Sequence, residues 1–182
     1  ARPLLVLSAS DQLNSGDVTK IAAACEVARA LKDKAPEVKV VLEGVVPSAY
    51  PERMLREEKT DFVCQGEAFF PVKALLGSLK EGESVPSKPI DGIWFMKDGR
   101  PVSSARWPMV QKPDALPFVA WDLLPMDRYR AHHWHCFDDL DRRQPYAAIY
   151  TNLGCPYDCS FCNVNVVFGK PNFRSRSPEN VV

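Results

Sequence analysis

The sequence predicts an α/β fold, a parallel sheet covered by helices, on three observations. Short apolar runs of strand length alternate with segments of helical period through residue 79. The strand-like runs are continuously apolar, as in parallel strands buried on both faces. A length of 182 residues with a hydrophobic fraction of 46% is enough to bury a core.

Taken in order, Pro3 to Leu7 (PLLVL) is a short buried-type strand closed by Ser8-Ala9-Ser10. From Asp17 to Lys34 the period changes: Val18, Ile21, Ala22, Cys25, Ala28 and Leu31 recur at helical spacing, Ser15 or Asp17 can cap the start, and Lys32 and Lys34 suit the negative end of the helix dipole. Val38 to Leu42 is the second strand. Gly44 to Pro51 reads as a Pro-bounded loop leading into a short helix over Glu52 to Glu58. Asp61 to Cys64 makes a third strand and Phe69 to Leu79 a third helix, ended by Lys80-Glu81-Gly82. Such βαβαβα order implies parallel strands joined by right-handed crossovers.

Ile90 to Ser104 reads as a hairpin, because Lys97-Asp98-Gly99 tolerates the positive φ of a tight turn; it is expected to decorate the end of the first domain. Pro108, Pro113, Pro117 and Pro125 mark an extended linker. Tyr146 to Thr151 is a further strand. The domain reading is therefore residues 1–104 as an α/β unit with a terminal hairpin, 105–145 as a Pro-rich linker, and 146–182 as the start of a second domain. Three strands make a thin sheet, Ala1 enters a strand almost at once, and the chain stops just after a helix-start signal, so a fragment of a longer protein is expected.

Charge excludes little but directs attention to sites. Lys plus Arg equals Asp plus Glu at 23 each, which announces no basic surface for nucleic acid or anionic lipid. No run approaches the ~20 apolar residues that span a bilayer and no signal peptide opens the chain, so the expected compartment is the cytoplasm, with no membrane or nucleic-acid partner.

Of six cysteines, Cys155, Cys159 and Cys162 crowd into one segment, C-x3-C-x2-C, directly after a strand. Clustered thiols in a reducing compartment point to metal rather than disulfides. Closely spaced ligands wrap a cluster without long-range loop closure, and three ligands leave one iron of a [4Fe–4S] cube open, as a catalytic metal site does for its substrate. The open alternative is zinc, with His132, His133, His135 or Cys136 completing a tetrahedron. The three histidines more simply belong to a solvated linker. Cys25, on an apolar helix face, and Cys64, ending a strand, read as small buried hydrophobes.

Tyr146 to Val182, with Cys155-Pro-Tyr-Asp-Cys159-Ser-Phe-Cys162 and the Phe173-Arg-Ser-Arg-Ser-Pro-Glu stretch, resembles the start of a radical S-adenosylmethionine (SAM) domain, a partial (β/α) barrel. The resemblance implies that Cys155, Cys159 and Cys162 bind a [4Fe–4S] cluster whose unique iron chelates SAM. It implies that Phe161 lies against the adenine, and that cluster reduction cleaves SAM to a 5′-deoxyadenosyl radical.

Upstream, VVLEGVVPSAYPERMLREEKTDFVCQGEAF and the later WDLLPMDRYR are similar to the Rossmann-like cobalamin (B12)-binding domain and linker that precede the barrel in one large subclass. Gly44 and Pro47 match that subclass's loop pattern, while Glu43, Val45 and Val46 depart from it. This implies that cobalamin lies beyond the strand ends, with Gly44 letting the flat corrin approach backbone and Ser8 meeting the cofactor's tail. No Asp-x-His-x-x-Gly segment is present, which implies a histidine-off mode of binding. The implied activity is cobalamin-dependent methyl transfer to an unactivated carbon or phosphorus of a small molecule, with an electron donor such as a flavodoxin or ferredoxin. The alternatives are an oxidative cyclase of tetrapyrrole synthesis and a non-catalytic zinc or iron–sulfur module.

Overall fold

A computed structural model describes residues 4–8, 18–106, 108–130, 145–147 and 149–182. Two compact units emerge, one of residues 1–110 with 154–173, the other of 111–153 with 174–182.

The first unit is a five-stranded mixed sheet in the order β1-β2-β3-β4-β5. Strands β1 (Leu4–Ser8), β2 (Lys39–Glu43) and β3 (Phe62–Cys64) run parallel, in register Val6↔Val41 and Val41↔Phe62. Helix α1 (Val18–Lys34) crosses from β1 to β2, and α3 (Pro51–Glu57) leads towards β3. Helix α4 (Phe69–Lys80) follows β3. This is the α/β, Rossmann-like architecture expected from the sequence.

The pleat sends successive side chains to opposite faces, which divides the core in two. Leu42 and Val63 pack with Ile21 and Cys25 of α1 and Met54 and Leu55 of α3. Val41, Phe62 and Cys64 pack on the other face with Leu75 and Leu79 of α4. Helices therefore cover both faces of the sheet.

Two expectations are corrected in this unit. The hairpin, β4 (Ile93–Lys97) and β5 (Arg100–Val102), turns at Asp98 and Gly99 with φ of 50° and 73° as predicted, yet it is no decoration. Strand β4 pairs antiparallel with β3, Phe62 opposite Phe95, so the hairpin extends the sheet and buries Ile93 and Phe95 in its core. Residues Val45–Ala49, read as loop, form a helix, α2. Pro47 is tolerated there because it occupies the first turn, whose N–H groups have no helical acceptor. Pro71 sits at the same position in α4.

The second unit holds short 3-10 turns at Pro113–Ala115, Trp121–Leu123 and Met126–Arg128, a two-stranded ladder and helix α6 (Pro178–Val181). The strand expected over 146–151 is not formed by its described residues: β6 comprises Asn152–Leu153 alone, paired antiparallel with β7 (Arg174–Ser175). A β-type sequence becomes a strand only where a neighbour supplies a ladder, and β7 is two residues long. Ser177 Oγ accepts from Asn180 N–H at 3.2 Å and caps α6, while Asp114 accepts from Ser177 N–H at 2.9 Å. The stretch with His132, His133, His135 and Cys136 lies outside the described residues.

Candidate functional site

Because β1, β2 and β3 are parallel, their carboxyl ends share one edge of the sheet, formed by Ser8, Glu43-Gly44 and Cys64-Gln65-Gly66. Ser8 stands opposite Glu43 in the β1–β2 register. Gly44 is buried and has φ 115°, a left-handed conformation that side chains resist, so the entry into α2 itself requires glycine. Ser48 of α2, only 2% exposed, fastens this edge: its Oγ accepts from Gly66 N–H at 3.0 Å and its carbonyl from Gln65 Nε2 at 3.0 Å. Trp94 Nε1 completes the network by donating to Gln65 Oε1 at 3.0 Å. Buried Glu67, a residue farther on, accepts from Val110 N–H at 2.8 Å.

The cysteine loop belongs to this same unit. It opens at Gly154 (φ 82°), passes Cys155, Cys159 and Cys162, and enters α5 (Val164–Phe168), which packs on α2. Arg106 donates to the Val166 carbonyl at the last turn of α5, and its Nε lies 3.3 Å from where a Cβ on Gly66 would be. A cation at a helix C-terminus is favourably placed against the dipole. The residues from Gly66 through Arg106 to Val166 thus join the sheet edge to the helix that leaves the cysteine motif.

Within the loop, Cys162 N–H donates to the Cys159 carbonyl at 3.0 Å, and Asn165 Nδ2 donates to Asp158 Oδ1 at 2.9 Å. Cys155 and Cys162 are half-buried, Cys159 is exposed, and all three are free thiols. Phe161 is 88% exposed, so its ring contributes little to the core of the chain. Among the described residues, no group of three or more His, Cys, Asp or Glu side chains is gathered closely enough to hold a metal ion. The donor set nonetheless fits an iron–sulfur cluster by its chemistry: three unpaired, accessible soft ligands on one loop. Sequence reasoning passed over Arg106, whose contacts with Gly66 and Val166 come from partners distant in the chain.

The other described cysteines have the opposite character. Cys25 is 3% exposed, and burial, followed by the Glu58 carboxylate, pushes its thiol up to about 11. Cys64 is fully buried, and burial and then Glu43 push its thiol up to about 12. Both are core residues rather than ligands, as the sequence indicated.

Solved structures of two enzymes align with 98% of the chain. One is the cobalamin-dependent SAM radical enzyme OxsB with aqua-cobalamin and SAM bound, at a TM-score of 0.62 and 17% identity, over 22% of that chain. The other is the radical SAM methyltransferase TsrM from Kitasatospora setae, with tryptophan substrate and a SAM analogue bound, at a TM-score of 0.59 and 16% identity, over 33% of that chain. The chain shares the fold of the aligned part of each of these enzymes. The fold that the resemblance implied is borne out.

Among curated proteins, the chain is 32% identical over 157 residues, 86% of its length, to uncharacterized methyltransferase PH0819 of Pyrococcus horikoshii. It is 24% identical over 167 residues, 91% of its length, to the anaerobic magnesium-protoporphyrin IX monomethyl ester cyclase of a Synechocystis strain. It spans 31% of the length of each of these relatives. No family model matches. No helix among the described residues is long and apolar enough to cross a membrane.

Proposed function

We propose that this chain is part of a radical SAM enzyme in which Cys155, Cys159 and Cys162 bind a [4Fe–4S] cluster and SAM occupies the remaining iron. The observation that carries this reading is three free thiols on a single loop, directly after a strand, in a chain that shares the fold of cobalamin-dependent radical SAM enzymes. A cluster held by these three thiolates would supply the electron for reductive cleavage of SAM. Phe161, exposed beside Cys162, offers a ring face for the adenine. Cobalamin binds at the sheet's carboxyl edge, where Ser8 and Gly44 lie and where open parallel sheets hold their ligands.

The reaction is methyl transfer to an unactivated carbon or phosphorus of a small molecule, supported by the 32% identity to a methyltransferase. The electron donor is a small redox protein of the flavodoxin or ferredoxin class, and the setting is the cytoplasm. Oxidative ring closure on a tetrapyrrole is the second reading, favoured by the match to the cyclase over 91% of the chain.

Anaerobic reconstitution with iron and sulfide tests the cluster. The expected result is a brown chromophore whose spectrum changes on adding SAM, lost in Cys159→Ala and retained in Cys25→Ala. Stoichiometric zinc with no response to SAM overturns the reading in favour of a non-catalytic metal module. Equal loss from both variants overturns the ligand assignment. Retention of hydroxocobalamin in equilibrium dialysis tests the second cofactor.

A further inference from the structure

Asn172 carries no sequence signal, yet it touches both the start of the cysteine loop and the end of the helix that follows it. Its backbone N–H donates to the Cys155 carbonyl at 2.9 Å. Its side-chain Nδ2 donates to the Phe168 carbonyl at 2.9 Å and the Lys170 carbonyl at 2.5 Å, and it lies 3.6 Å from Met109 Sδ. The preceding glycine is shaped to it: a Cβ on Gly154 would stand 2.6 Å from both the Asn172 carbonyl oxygen and Oδ1.

One residue therefore binds the backbone of the first cysteine and the carbonyl end of the helix that follows the third. Helix α5 has five residues, well below the ~12 at which an isolated helix is even marginal, so its place depends on such outside contacts. Asparagine suits the position because Nδ2 supplies two N–H donors for two carbonyls. Aspartate is the same size but presents oxygen to oxygen at those contacts.

We propose that Asn172 is a positioning residue for the cysteine loop: it closes the segment between Cys155 and α5, and so fixes the spacing at which the thiolates of Cys155 and Cys162 meet iron. The inference rests on the cluster reading above and adds to it a residue outside the motif. It acts through backbone, without touching a cofactor.

The test uses the full chain, reconstituted anaerobically with ferrous iron and sulfide, as wild type, Asn172→Ala and Asn172→Asp. Asn180→Ala, which removes the side-chain acceptor of Arg176 Nη1 in the second unit and leaves the Ser177 cap in place, is the control. Three properties are read: the electron paramagnetic resonance spectrum of the dithionite-reduced cluster, its midpoint potential, and the rate at which a ferrous chelator strips iron. Both Asn172 variants keep the backbone bond to Cys155 and lose the side-chain bonds that tie it to the end of α5, so they are expected to shift the spectrum and potential and to release iron about tenfold faster, the equilibrium equivalent of losing one to two hydrogen bonds. Asn180→Ala is expected to match wild type.

Circular dichroism establishes that each variant is folded. Should Asn172→Ala fail to fold, Asn172→Asp, which keeps the backbone donor and the side-chain shape, carries the test. A loaded wild type whose folded Asn172 variants are indistinguishable from it overturns the positioning role alone. A wild type that takes up no cluster overturns the cluster reading, and this inference with it.

Discussion

Asp61→Asn tests whether the foundation of the sheet has been read correctly. At the amino-terminal end of β3, Asp61 gathers three partners: Lys32 Nζ at 2.5 Å, Lys39 Nζ at 2.9 Å and the Val40 N–H at 2.8 Å. Its side chain is 17% exposed, and those of Lys32 and Lys39 are 15% and 16% exposed, so these pairs are better shielded than ordinary surface bridges. Hydrogen bonds to charged groups contribute about 1.5–3 kcal/mol, exposed pairs under about 1. Asparagine keeps an acceptor for Val40 N–H and loses the charge, so the expected loss at neutral pH is about 2 kcal/mol.

With a urea slope of roughly 2 kcal/mol per molar, the unfolding midpoint falls by about 1 M. Burial alone would raise the Asp61 pKa, but the two lysines and the Val40 N–H outweigh it and hold the carboxyl below the usual carboxylate range. A depressed folded pKa means that the contribution is complete above the unfolded value of about 4 and fades as pH falls through the folded one. Urea midpoints of wild type and Asp61→Asn, followed by circular dichroism, should differ at pH 7 and converge in acid. A gap that is absent at pH 7, or that stays constant into acid, would refute the ion-pair account.

Three further outcomes are expected. Iodoacetamide at pH 8 should label the Cys155, Cys159 and Cys162 thiols of the metal-free folded chain and spare Cys25 and Cys64, whose thiols burial pushes to about 11 and about 12, until the chain is unfolded; peptide mass spectrometry reads the difference. Phe161→Ala should change stability by less than about 0.5 kcal/mol, given the ring's exposure, and weaken the spectral response of the loaded cluster to SAM in a titration. Gly44→Ala should lower stability by about 1–2 kcal/mol in a thermal melt, because its φ of 115° strains any side chain.

The fold was legible where a local pattern determines structure. Helices α1 and α4 announce themselves by apolar period, and Asp98-Gly99 by the φ values its turn demands. The cysteine loop was legible because its three thiols are neighbours in sequence. What escaped depended on partners. Helix α2 hid behind Pro47, whose first-turn position matters only once the helix start is known. The hairpin's place in the sheet is set by pairing of Phe62 with Phe95, which neither segment reveals alone. Asn172 gains its role because Cys155, Phe168 and Lys170 converge on it, a matter of three-dimensional closure.

The grouping of residues 154–173 with residues 1–110 has a consequence for biogenesis. During synthesis the sheet of the first unit emerges well before the cysteines, and α5 is too short to order itself. Under the proposed cluster reading, iron loading waits on the prior folding of α2 and the sheet edge beneath it. On that reading, inherited damage far from the thiols, at Ser48 or Gly66 for example, would present itself as a failure of metallation in a chain whose three loop cysteines are all intact.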